Sequence, residues 1–151
     1  MEPKKPILLV DDSETDLDLI VSAFQKAQFK NPLQMVRNGE EAIAYLKGDA
    51  PYSDRNKFPL PGAMLLDLKM PKKNGFDVLS WWRTQSGLRR IPVIILTASM
   101  DLGDIERAFE LGAHAFLVKP CDLNELTEMI RCLRDWLKIN HFSPLNEWPR
   151  R

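Results

Sequence analysis

Five short apolar runs recur along the chain: Ile7–Val10, Leu33–Val36, Ala63–Leu66, residues 93–96 and Ala115–Val118. Four are apolar throughout, the pattern of strands whose sheet is covered on both faces. The second includes Gln34 and runs into Arg37, which predicts an edge strand. Between the runs the spacing turns helical. Leu17, Ile20, Val21, Phe24 and Ala27 share one helix face, with Ser13 as N-cap and Asp16 in the first turn, where the helix dipole favours negative charge. Asn38 opens a second helix carrying Ala42, Ile43 and Leu46, and Asn74 a third carrying Val78, Leu79 and Trp82. A fourth, with Ile105, Ala108 and Phe109 inward, ends near Gly112. The fifth carries Leu123, Leu126, Ile130, Leu133 and Leu137 behind Asp122, with Glu125 completing a capping-box pattern. The order is strand–helix five times over, which implies an α/β (βα)5 fold: a doubly wound parallel sheet joined by right-handed crossovers.

Residues 1–139 read as one domain, residues 48–62 as a long Pro- and Gly-punctuated surface loop, and residues 140–151 as a tail. Lys and Arg number 21, as do Asp and Glu, so the chain lacks the basic excess of a nucleic-acid binder. Apolar runs of four or five residues are about a quarter of a membrane span, and the polar start has no signal-peptide core, so a cytoplasmic protein is expected. Cys121 and Cys132 are too few for a disulfide framework or a zinc site, and Cys121 is expected to be a small buried hydrophobe. His114 and His141 have no ligand spacing and are expected to be structural. On the third helix Trp82 should face the core and Trp81 be partly exposed.

In open α/β sheets ligands bind outside the carboxyl ends of the strands. There this sequence places Asp11 and Asp12 after the first strand and Asp67 after the third. Thr97 follows the fourth strand, and Lys119-Pro120 the fifth. Each alone has a structural explanation, an Asp after a strand being a common helix cap. Together they are an unusual set. Three neighbouring carboxylates repel one another unless a cation intervenes, and Mg2+ takes oxygen ligands with one or two carboxylates and phosphate oxygens. The set reads as a Mg2+ pocket prepared for an anion, in which a carboxylate can be the phosphoryl acceptor.

These segments resemble the receiver domain of bacterial two-component response regulators, the CheY-like superfamily. The residues that match are Leu8-Leu9-Val10-Asp11-Asp12, Leu65 to Gly75 with its Asp67-Leu68-Lys69-Met70-Pro71 turn, Pro92 to Ala98, Gly112-Ala113, and Phe116-Leu117-Val118-Lys119-Pro120. The resemblance covers about residues 6 to 137 and implies the flavodoxin-like strand order 2-1-3-4-5. It also implies that Asp67 accepts a phosphoryl group from a sensor histidine kinase. Asp12 and Asp67 would bind Mg2+ with the backbone carbonyl of Lys69, and Asp11 would act chiefly through water. Lys119 would pair with the phosphoryl oxygens, Thr97 would turn its hydroxyl to them, and Phe116 would follow as the switch aromatic. The Lys119–Pro120 peptide would be cis. The long loop, the Met70-to-Gly75 turn and the Asp-rich first helix look like the single-domain regulators that partner bacterial phytochromes.

Too few residues follow the fifth helix for an output domain, so output through protein–protein contact, or relay to a histidine phosphotransfer protein, is expected. Lys69, two residues after the acceptor, is a candidate modulator of acyl-phosphate lifetime. Trp136 and Ile139, with Phe142 and Trp148 in the tail, suggest a homodimer across the fourth helix, fifth strand and fifth helix. A Mg2+-dependent aspartyl-phosphate phosphohydrolase is the enzymatic alternative, but it wants a carboxylate where Lys69 stands. A phosphorylation-independent binding module on the same fold is disfavoured by the intact residue set.

Overall fold

The structure is a computed structural model and describes residues 4–139. Its elements alternate: β1 (Ile7–Val10), α1 (Glu14–Lys26), β2 (Leu33–Val36), α2 (Gly39–Lys47), β3 (Ala63–Leu66), α3 (Gly75–Trp82), β4 (Val93–Thr97), α4 (Leu102–Glu110), β5 (Ala115–Val118) and α5 (Leu123–Ile139). The strands form one sheet in the order β2-β1-β3-β4-β5, with every neighbouring pair parallel. The tail aromatics Phe142 and Trp148, and His141, lie outside the described residues.

Because successive side chains of a strand point to opposite faces, the apolar runs divide between two cores. Leu8, Val10, Met64, Leu66 and Ile95 pack beneath α2, α3 and α4, against Tyr45, Leu79, Trp82 and Ala108. Ile7, Leu9, Leu65, Ile94 and Leu96 pack beneath α1 and α5, against Leu17, Phe24, Leu126 and Ile130. Burying each such side chain stabilises the fold by roughly 1.5–3 kcal/mol, so no disulfide is needed to hold it. The N-caps fall where the sequence predicts: Ser13, Asn38 and Asn74 each accept a backbone N–H from the third residue beyond. Asn74 and Asp77 form a full reciprocal capping box. Asp122 accepts from the backbone N–H of Glu125 at 3.3 Å.

Residues 48–62 form a surface loop, as the sequence predicts, and three other expectations are corrected. Residues 48–62 are irregular but packed: Tyr52, Phe58 and Leu60 lie against the core, and the Tyr45 hydroxyl donates to the Pro59 carbonyl at 2.8 Å. Arg55 donates to the carbonyls of Tyr45, Leu46 and Phe58, so its planar fork closes the open end of α2. Cys121 is exposed, because it sits in the turn beyond β5 and not under a helix. Phe109 is 47% exposed, since α4 buries only Ala108. The cis peptide among the described residues is Ala50–Pro51, and Lys119–Pro120 is trans, the isomer favoured in X–Pro bonds by about 0.5–1 kcal/mol. Trp82 is buried and donates its indole N–H to the Leu88 carbonyl, while Trp81 is half-buried, as predicted.

Candidate functional site

The sheet's strand order reverses between β1 and β3, and this switch point is where an α/β sheet leaves a crevice at its carboxyl edge. Backbone pairing continues past the strand ends and fixes what projects there. The amide of Asp11 donates to the Val36 carbonyl at 3.1 Å, and that of Asp67 to the Val10 carbonyl at 3.0 Å. The Lys119 amide donates to the Thr97 carbonyl at 2.7 Å. The side chains at the rim are thus held by the same ladder that builds the sheet.

The fold brings Asp11, Asp12 and Asp67 together: one oxygen of each lies within 4.8 Å of the others. An all-oxygen trio of this kind suits a hard divalent cation. Asp11 and Asp67 are buried and Asp12 is exposed, so the trio opens to solvent on one side. The Lys119 ammonium reaches Asp11 at 2.6 Å and Asp67 at 3.3 Å. Burial raises the pKa of the Asp11 carboxyl, although the Lys119 bond and the Ser13 backbone N–H oppose that shift. For Lys119 burial works against the charged form, but the bonds to Asp11 and Asp16 and the charge of Asp67 outweigh it and hold the ammonium above its ordinary value.

Thr97 ends β4, and its backbone carbonyl accepts the Lys119 N–H. Its Oγ1 is buried with no hydrogen-bond partner among the described residues, and an orphaned polar atom costs on the order of 1–3 kcal/mol. Phe116 is half-buried on the adjoining strand and packs against the core beneath α2–α4.

Two features shape the β3–α3 loop that follows Asp67. Gly75 has no room for a side chain, since a Cβ there would overlap the Asp67 carbonyl and lie 2.8 Å from the Leu68 Cα. Lys72 and Lys73 take left-handed conformations (φ 48° and 68°), and their carbonyls accept the first N–H groups of α2, from Glu40 at 3.2 Å and Gly39 at 2.9 Å. The strained turn is paired with donors that a helix start leaves free.

Two residues stand differently from the sequence reading. Lys69 directs its ammonium to Asp104 at the start of α4, at 3.4 Å, with its side chain 67% exposed. It therefore links the β3–α3 loop to the first turn of α4 and does not cover the carboxylate. Asp104 also accepts from the Ser99 hydroxyl at 2.7 Å, which, ahead of the Lys69 bond, holds its carboxyl below the usual range. Asp16 was legible only as a first-turn acid, yet it lies 2.7 Å from the Lys119 ammonium. Its partner is 103 residues away, so no local spacing could have paired them.

Residues 7–131 match the family described as response regulator receiver domain. The chain belongs to the response regulator receiver family. It is a phosphoryl-accepting component of phosphorelay signalling, and receivers of this family work with histidine kinases. The chain is 34% identical over 137 residues to response regulator Rcp1 of Synechocystis sp., covering 90% of this chain and 91% of that one. Among solved structures, the phosphorylated cyanobacterial phytochrome response regulator RcpA superposes with a TM-score of 0.82 at 31% identity, covering 90% of this chain and 95% of that one. The Mn2+-bound form of Rcp1 superposes with a TM-score of 0.80 at 33% identity, covering 92% and 99%. Among the described residues of this receiver, no helix is long and apolar enough to cross a membrane.

Proposed function

We propose that Asp67 is the phosphoacceptor, taking a phosphoryl group from a phosphohistidine of a phytochrome-type sensor kinase in the cytoplasm, where ATP-dependent kinases work. The orphaned Thr97 hydroxyl carries this reading. A buried donor with no partner among the described residues, on the strand beside β3 and backbone-paired to Lys119, fits a group that arrives later with strong acceptor oxygens. The phytochrome link is supported by the likeness to RcpA.

Asp12 and Asp67, with the Lys69 carbonyl, would hold Mg2+, and Asp11 would act chiefly through water. When bound, the ion neutralises charge on the carboxylates and on phosphoryl oxygens. In the transfer an Asp67 oxygen bonds to phosphorus, the phosphorus–nitrogen bond breaks, and the leaving imidazole takes up a proton. The transition state is loose, so positioning and charge do most of the catalysis. Lys119 supplies a positive charge fixed in place. Thr97 gains an acceptor and turns toward it, and Phe116 follows into the space released. That biases the surface made by α4, β5 and α5. The protein in this reading catalyses only its own phosphorylation and dephosphorylation, and its output is contact with a partner or relay to a histidine phosphotransfer protein. Lys69 acts on the lifetime of the acyl phosphate through its bridge to Asp104.

The same surface is proposed as a homodimer face, because Leu102 (74% exposed) and Phe109 leave apolar area unburied on α4. Phe109→Asp should shift the molecular weight seen by light scattering toward monomer, and an unchanged weight would remove this part of the reading. Borohydride reduction after phosphorylation converts an acyl-phosphorylated aspartate to homoserine. Peptide mapping should find homoserine at position 67, and homoserine at 11 or 12 would refute the assignment. Persistence of the phosphoryl group over minutes, without turnover of phosphate esters, separates this from the hydrolase reading.

A further inference from the structure

The Lys119 ammonium has three carboxylate partners: Asp11 at 2.6 Å, Asp16 at 2.7 Å and Asp67 at 3.3 Å. Asp11 and Asp67 also belong to the trio whose oxygens converge, and Asp16 does not. A divalent cation drawing on Asp11 and Asp67 therefore shares two carboxylates with the ammonium and meets its charge across them. Without another partner, Lys119 would oppose that cation through its charge.

Asp16 supplies the other partner. It sits in the first turn of α1, where the Ser13 hydroxyl accepts its backbone N–H at 3.2 Å. Its side chain is 37% exposed against 3% for Asp11 and 8% for Asp67, so it meets the ammonium from the solvent side of the cluster. Glu14 shares its helix turn and its charge, but pairs with Arg37.

We propose that Asp16 is a positioning residue that holds the Lys119 ammonium to one side of the carboxylate trio and thereby strengthens divalent-cation binding there. The inference rests on the reading of Asp11, Asp12 and Asp67 as the cation site.

Calorimetric titration of Mg2+ into the full chain, with no phosphodonor present, tests it. Asp16→Asn should weaken Mg2+ binding on the order of tenfold, the scale of one charge-assisted contact. Glu14→Gln, which removes the same charge from the same turn, should change it by less than about twofold, as expected of an exposed charge screened by solvent. In a Lys119→Met background, or Lys119→Gln should the first variant not fold, adding Asp16→Asn should have little further effect. An unchanged affinity in Asp16→Asn overturns the proposal. An equal loss with and without Lys119 also overturns it, because Asp16 would then act only as a charge near the ion. Should the unmodified chain bind no Mg2+, or Asp12→Asn bind it equally well, the cation-site reading itself fails, which is a separate result.

Discussion

The centre of the sheet's carboxyl rim and its β5 end are built differently. At the centre, every residue of β1, β3 and β4 is buried, and the side chains that follow them are fixed by ladder hydrogen bonds. Toward β5 the packing loosens: all four strand residues are half-buried, α4 buries only Ala108, and Met100, Leu102 and Phe109 stand in solvent. A group that must present charges to a phosphoryl oxygen gains from rigidity. A surface that must adopt a second arrangement needs a small free-energy gap, and sparse burial supplies one. The difference teaches that the carboxylate site and the proposed output surface can share one sheet while differing in how firmly they are held.

Core truncation gives the largest expected contrast. Leu66→Ala, in the buried centre, should cost about 2–5 kcal/mol in chemical denaturation, whereas Leu102→Ala should fall within about 0.5 kcal/mol of the unmodified chain. Similar costs at the two positions would erase the distinction. A smaller effect is expected where the regions meet, at the Lys69–Asp104 bridge. An exposed pair is worth about 0–1 kcal/mol, so Lys69→Ala should leave stability nearly unchanged while altering the half-life of the acyl phosphate. An identical half-life would show that the bridge has no bearing on the site.

The smallest effect belongs to His114, just before β5, whose Nδ1 accepts the Val93 N–H at 3.1 Å and whose ring meets Trp82 edge-on. Burial lowers its pKa below the ordinary 6.5, so the folded state prefers the neutral ring. That contribution is fully present above pH 6.5 and is lost as pH falls through the lowered pKa. Melting temperatures between pH 7.5 and 5 should therefore fall slightly more for the unmodified chain than for His114→Gln, and parallel curves would remove the assignment.

The central region was also the more legible in sequence. Period and punctuation are local, so the strand–helix order, the N-caps at Ser13, Asn38 and Asn74, and the placing of Asp11, Asp12 and Asp67 at strand ends could all be read from neighbours. What escaped depends on distant partners. Asp16 has the same local setting whether or not Lys119 reaches it. Arg55 looks like any loop arginine until the end of α2 presents carbonyls to it. Phe109 fits a helical stripe, but α4 connects β4 to the edge strand β5, and the described residues leave Phe109 47% exposed. Cys121 follows the general tendency of thiols to be buried only if the chain turns inward after Lys119-Pro120, and it turns outward.

The most direct measurement is the intact mass of the chain after incubation with a small phosphodonor and Mg2+, compared with that of Asp67→Asn. The unmodified chain should gain one phosphoryl group that persists for minutes, and Asp67→Asn should gain none. Equal labelling of both proteins would contradict the assignment of Asp67 as the acceptor.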